Sequence, residues 1–335
     1  MPLATKTSNN LLGGAAIWSA LATVMVTATP PQALAQSFGT HPVRIIVPYA
    51  SGGIVDLMAR VVSDKLGEKL GAPVVVESRA GANTAIGTDA VARSDPDGHT
   101  LLMATSALVI TPQLQKVNYD PVTDFVGVGY MGYALSIATV HSSVPATDIQ
   151  SFIAYAKSKP GELNYLAPGT SSSFTLSAIL LEQVNDIKMT AVSYRGVPPG
   201  MPDLITGRLH FGFIPAPLAM ELVAEGKLNA LAVTGDTRLK QLPNVPTMKE
   251  QGYESSQVIS WYAFAAPAKT PKPILDKLNV ALNEVLKEPA IITRIGEIGG
   301  NATAGWTPEQ TTKLYADEFV RWGGIIRKGG IKANP

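Results

Sequence analysis

The sequence predicts an α/β protein made of two similar units, each a mostly parallel sheet flanked by helices. Two observations carry this. Short apolar runs alternate with stretches of helical spacing from Val43 onward, and that alternation builds strand–helix–strand units. It then begins afresh after Val144, with no low-complexity linker between the two series. The size agrees: 335 residues, 46% of them hydrophobic, amount to about two domains with a sizeable core.

The first 35 residues read as an address rather than as structure. Lys6 lies in a polar opening, an apolar run extends from Leu11 to Thr29, Pro30 and Pro31 break it, and Ala33-Leu34-Ala35 follows. That ending is the small-x-small pattern of a signal peptidase site, so cleavage is expected after Ala35. Gly13, Gly14, Ser19 and the threonines dilute the run, which argues against a membrane anchor. The mature chain is then expected to be soluble and periplasmic.

Beyond the leader, Val43–Val47 is a strand stopped by Pro48. Ile54, Leu57, Met58, Val61, Val62, Leu66 and Leu70 recur at helical spacing until Gly71 and Pro73 end the helix. A strand over Val74–Val76, a helix over Gly87–Arg93 and a strand over Thr100–Ala104 complete the first series. The second series places helices over Ile149–Ser158, Phe174–Val184 and Pro199–Thr206. Its strands are Leu163–Ala167, Met189–Tyr194, His210–Ile214 and Ala230–Thr234. The apolar segments Val126–Val140 and Val258–Ala265 are candidates to cross between the units. Helices over Ile274–Leu286 and Pro308–Lys328 would return to the first.

Composition removes several kinds of chemistry. With no cysteine, disulfides, thiolate nucleophiles, cysteine-held metal clusters and a lipid-anchored N-terminal cysteine are all excluded. The formal charge is +1, and loss of Lys6 leaves 26 basic against 26 acidic residues. No basic field is present to attract nucleic acid. His41, His99, His141 and His210 are far apart, with no H-E-x-x-H pairing, so no metal is expected. Gly127-Val128-Gly129-Tyr130-Met131-Gly132 spells a dinucleotide motif. A strand-like run follows it where that motif requires a helix, so no cofactor is expected. Phosphate-loop and nucleophile-elbow patterns are absent from the sequence.

Three loops remain as site candidates. Tyr49-Ala50-Ser51-Gly52-Gly53-Ile54, with Asp56 just inside the helix, joins a strand to a helix. Glycines let the backbone approach a ligand, and a helix N-terminus presents unpaired N–H groups to an anion. The plain alternative is a turn capped by Ser51 or Asp56. Gly169-Thr170-Ser171-Ser172-Ser173-Phe174 repeats the arrangement in the second unit. One serine would suffice as a cap, and Phe174 is either a staple onto the core or a stacking surface. Arg195-Gly196 closes a strand within a proline-rich loop, where a guanidinium can grip a carboxylate or form a surface ion pair. No general base, nucleophile or metal set accompanies these loops, so binding without chemistry is the simplest reading.

At this point the chain resembles the substrate-binding receptors of tripartite tricarboxylate transporters, the Bug-type receptors, from about Pro42 to Ile331. The resemblance rests on Val43-Arg44-Ile45-Ile46-Val47-Pro48-Tyr49 with Gly52-Gly53 and Asp56, on Pro73-Val74-Val75-Val76-Glu77, and on Asp95-Pro96-Asp97-Gly98. Tyr119-Asp120-Pro121, Tyr194 with Gly196, Leu242-Pro243-Asn244-Val245-Pro246-Thr247 and Ala266-Pro267 continue it in order. It implies a two-lobed type II periplasmic-binding-protein fold, a Venus flytrap, with a leader over 1–35. The first lobe would span 36–141 and 263–335 and the second 142–262. It also implies a monomer that holds a small carboxylate between the lobes and hands it to the permease subunits of a membrane transporter.

The chain departs from the family in its loops. Ile54 stands where Gly-Gly-Gly is common, Thr175-Leu176 where His-Leu is usual, and Arg195 where Lys is common. Ala80-Gly81-Ala82-Asn83-Thr84 replaces a Pro-Gly-Ala-Gly-Gly stretch. Asn83 and Thr84 therefore join the candidate ligand set, in which Pro215 is also counted, and an aromatic or otherwise apolar mono- or dicarboxylate, terephthalate among them, is the expected ligand. A sensor feeding a membrane signalling protein, or an enzyme on the same scaffold, are the alternatives.

Overall fold

The computed structural model describes residues 38–331 apart from Thr40, Val258 and Gly330. The expected leader over residues 1–35 lies outside the described residues. The first run of elements is β1 (Val43–Val47), α1 (Ile54–Leu70), β2 (Val74–Ser78), α2 (Ala85–Ala92), β3 (Thr100–Ala104), α3 (Ala107–Leu114) and β4 (Phe125–Ala134). The second is β5 (Ser136–His141), α4 (Ile149–Ser158), β6 (Asn164–Ala167), α5 (Ser173–Asn185), β7 (Thr190–Ser193), α6 (Met201–Ile205), β8 (Phe211–Pro215), α7 (Ala216–Ala224) and β9 (Leu228–Val233). The chain closes with β10 (Ser260–Pro267), α8 (Lys272–Val285), α9 (Pro289–Glu297), β11 (Gly300–Ala302) and α10 (Pro308–Gly329).

Two sheets form two lobes, in the orders β11-β4-β10-β3-β1-β2 and β7-β6-β8-β5-β9. Strands reached through a helical crossover run parallel, as in β2-β1-β3 and β7-β6-β8. The strands at the junction between lobes, β4, β10, β5 and β9, pair antiparallel. Each sheet is therefore mixed, with its parallel part built from crossover units.

The segment 126–140 does cross, as two strands that meet at Leu135. The expected lobe boundaries need correction. β5, assigned from sequence to the first lobe, pairs with β8 and β9 of the second sheet, so the chain changes sheets at Leu135 rather than after 141. β10 lies wholly in the first sheet from Ser260, so the division at 262/263 cuts a strand. Residues 126–140 are apolar almost throughout, and periodicity gives no sign of where one sheet ends. The return crossing runs through residues 234–259 rather than through a strand at Val258–Ala265. It is tied to the first crossing where Thr234 N donates to Ser136 O and Ser136 N donates to Thr234 Oγ1, both 2.8 Å and both buried.

Both faces of each sheet are covered, so side chains sort by strand period. Ile45 and Val47, Leu101 and Met103, Tyr262 and Phe264 enter one core with α1 and α8. Ile46, Leu102, Trp261 and Ala263 enter the opposite core with Tyr315 and Trp322 of α10. In the second lobe Tyr165, Phe211 and Phe213 pack with α4, while Leu166 and Ile214 face α6 and α7.

The glycines of the false dinucleotide motif have a packing role on β4. A Cβ at Gly127 would lie 2.5 Å from Thr311 Cβ and 2.6 Å from Thr312 N of α10, and Gly127 N donates to Thr312 Oγ1 at 2.8 Å. A Cβ at Gly129 would meet Leu282 of α8. Helices sit directly on this strand because it has no side chains at those positions.

α1 forms as its sequence dictates, with Ile54, Val55, Met58, Ala59, Val62, Leu66 and Leu70 buried along one stripe. Left-handed Gly71 ends it and donates its N–H to Gly67 O at 2.9 Å. α3, α7, α9 and β11 have no counterpart in the expected elements. α3 (ALVITPQL) is apolar, partly β-branched and buried over Ala107–Thr111, so it shows no polar face to mark it as a helix.

Candidate functional site

The candidate loops converge at the junction of the lobes. α1 opens at Gly53, which offers no side-chain cap. The first-turn N–H groups consequently have no intrahelical partner and carry the positive end of the helix dipole. α3 opens after Ser106 with its first N–H groups taken, since Ala107 N donates to Thr105 Oγ1 at 3.3 Å and Leu108 N to Thr105 O at 2.9 Å, so the free donors belong to α1 and α5. α5 opens at Ser172, whose hydroxyl accepts from Phe174 N at 3.2 Å. All three helix starts line one narrow inner cavity of about 490 Å³, counted to its opening into solvent, of which only about 40 Å³ is free for the centre of a water-sized sphere.

Its walls include Tyr49, Ala50, Gly53, Ile54 and Val55 from the first loop, and Ser172, Ser173 and Phe174 from the second lobe. Gly196, Val197 and Pro198 close one side, and Ser260 and Tyr262 of β10 another. No lining residue is charged. Burial pushes the Tyr49 phenol up to about 12, against the opposing hydrogen bond to Thr105, so it stays neutral and exchanges that bond with Thr105 Oγ1 at 3.2 Å. Ser173 and Ser260 join their hydroxyls at 2.6 Å. The cavity is an apolar box with donors at its helix ends, suited to an anion on an apolar body.

Outside it lies a wider cleft of about 1510 Å³, counted to its opening into solvent. Tyr49, Ala50, Asn83, Thr84, Gly169, Ser171, Ser172 and Arg195 all line it. Arg195 is exposed and, among the described residues, none forms an ion pair with it. Thr84 is buried with an unpartnered Oγ1. The lobes touch here, since Ala50 N donates to Arg195 O at 3.3 Å.

Other candidates face elsewhere. Asp56 is 2% exposed and its carboxylate receives Gly52 N at 3.0 Å, Arg60 Nε at 2.9 Å and Ser78 Oγ at 3.2 Å. Burial opposes its ionisation, but bonds from Arg60, Gly52 and Ser78 outweigh it and hold the pKa below the ordinary value. Ser51 donates to Ser78 Oγ at 2.9 Å. Asp56 and Ser51 thus fix the turn, with Gly52 at φ 81°, and do not reach into the inner cavity. Thr170 Oγ1 is buried without a partner on the far side of its loop, in a trough shared with Tyr165 and Glu182. Pro215, the last residue of β8, lines an adjoining hollow with Leu57, Pro217 and Glu221, divided from the inner cavity by Gly53, Ile54, Val197 and Pro198, which border both.

Sequence reasoning missed Thr105, Ser106, Ser260 and Tyr262, while Val55, Pro168, Val197 and Pro198 lay within the candidate loops without being singled out. Thr105 and Ser106 follow β3 as Tyr49 follows β1, and recognition of α3 would have revealed them. Ser260 and Tyr262 carry only the strand period, which puts both on one face of β10.

The family model of the tripartite tricarboxylate transporter family receptor matches residues 58–331. Protein BugT of Bordetella pertussis is 33% identical over 301 residues, covering 89% of this chain and 92% of its own. The structure of the periplasmic binding protein BugD matches with a TM-score of 0.82 at 29% identity, covering 87% of this chain and 98% of its own. A Rhodopseudomonas palustris protein solved with adipate matches with a TM-score of 0.82 at 31% identity, over 88% of this chain and 99% of its own.

Proposed function

The chain belongs to the tripartite tricarboxylate transporter receptor family, and from that premise we propose that it captures a small carboxylate with an apolar body between its two lobes. The observation that carries this is the inner cavity, which has three helix N-termini, no charged side chain and the Phe174 ring in its wall. One carboxylate is held by helix-start N–H groups and the serine hydroxyls. A second, where the ligand has one, reaches Arg195 at the mouth. Adipate in the related Rhodopseudomonas palustris structure supports a dicarboxylate, and Phe174 with Ile54 favours an aromatic one such as terephthalate.

Export with cleavage after Ala35, periplasmic location and delivery of the ligand to a membrane permease complete the proposal. Catalysis is not part of it. The tyrosines at the cavity have pKa values raised by burial, so they do not exchange protons near neutrality.

Titration calorimetry of residues 36–335 against terephthalate, benzoate, adipate, citrate and glutamate tests the reading. Saturable 1:1 binding of an aromatic or aliphatic dicarboxylate is expected, stronger than binding of citrate or glutamate. Tight citrate or glutamate binding with no response to the others would overturn the ligand class.

A further inference from the structure

Ala82, Asn83 and Thr84 adopt φ of 46°, 51° and 76° in succession. Three consecutive non-glycine residues in the left-handed region are costly, and only Asn tolerates it well. Such a turn persists where its surroundings over-determine it. Gln115, at the end of α3, supplies part of that restraint: its Nε2 donates to Ala82 O at 3.0 Å, and its Oε1 accepts from Asn83 Nδ2 at 2.8 Å. Thr111 Oγ1 donates to Asn83 O at 2.9 Å.

With its amide nitrogen committed to Gln115, Asn83 presents Oδ1 to the second lobe, where it accepts Thr170 N at 3.2 Å. Beside it Thr111 Oγ1 meets Ser171 Oγ at 2.6 Å. Both bonds join the first lobe to the loop that precedes α5, and neither can survive separation of the lobes. We propose that Asn83 is the latch of the cleft, a positioning residue whose amide oxygen captures the Thr170 N–H on closure, and that Gln115 holds it in the receiving orientation. The latch rests on the cleft being the ligand site, and it assigns Asn83 to lobe closure rather than to ligand contact. Aspartate in its place would set a carboxylate oxygen against Gln115 Oε1 and lose that orientation.

The absence of native cysteine permits clean double labelling. Cysteines introduced by Val75→Cys on β2 and Val184→Cys on α5, 48% and 56% exposed, place one spin label on each lobe. Pulsed dipolar spectroscopy without ligand is expected to show a dominant short-distance population. Asn83→Asp and Gln115→Ala should each lower the short-to-long ratio at least threefold while melting temperature and carboxylate stoichiometry are retained. Gln115→Ala leaves the turn's own residues intact, so it keeps the test sound if Asn83→Asp folds poorly. Unchanged distributions in both variants, or a parent protein with no short component, would overturn the latch. Calorimetry on the same proteins reads the ligand site separately, so failure of one conclusion does not mask the other.

Discussion

Arg195 and Glu182 show how differently one charge behaves at the rim and under a helix. Arg195 is exposed at the cleft mouth, so the proposed grip on a second carboxylate would compete with water and salt. Arg195→Ala should therefore weaken a dicarboxylate by about 1–2 kcal/mol, roughly 5- to 30-fold, well below the cost at a buried pair. A monocarboxylate such as benzoate should be unaffected, and calorimetry on both ligands checks the difference. Glu182 lies in the trough behind the loop, where burial pushes its carboxyl from 4.5 up to about 7 despite a hydrogen bond from Met189 N. The folded protein thus binds a proton there that the unfolded chain releases. Its contribution to stability is complete below about pH 4.5 and is lost as pH rises through about 7. Because the group is partly exposed, Glu182→Gln should stabilise the protein by only about 1–2 kcal/mol at pH 8 and by little at pH 4. Thermal melts at the two pH values read this directly, and equal effects at both would contradict the assignment.

Elements were legible where local chemistry announced them and opaque where distant partners decided. α1 carries its stripe and its terminating Gly71 in sequence, and α4 has a complete capping box between Asp148 and Ser151. The strand–glycine–helix turns at 49–54 and 168–174 were readable because a sharp turn into a helix needs those residue types. α3 was not, since a helix buried on all sides looks like an apolar strand. Nor was the use of Asn83, whose partners Gln115 and Thr170 stand 32 and 87 positions away. The glycines of β4 lie within a strand, as the run after them suggested, but their packing against α10 required the structure. Gly127→Ala should force α10 away from the sheet and cost about 1–3 kcal/mol. Its measure is a melting temperature lower by about 2–12 °C, and an unchanged melt would mean that α10 does not depend on that close approach.

At the scale of the whole molecule, two sheets joined by two crossings place three helix N-termini around one uncharged cavity. With acidic and basic residues nearly equal in number, the proposed anion would be drawn by local helix ends and by Arg195 rather than by a global field. The proposed latch requires one lobe to move against the other about the two crossings, with the Asn83 contact made or broken at the rim. The most direct measurement is a crystal structure of residues 36–335 grown with the dicarboxylate that calorimetry selects. The expected result is one ligand in the inner cavity, one carboxylate within about 2.7–3.1 Å of N–H or hydroxyl groups at the starts of α1 and α5, the apolar body against Phe174, and the far carboxylate toward Arg195. A ligand bound outside the cleft, or a cavity left without it at saturating concentration, would contradict the account.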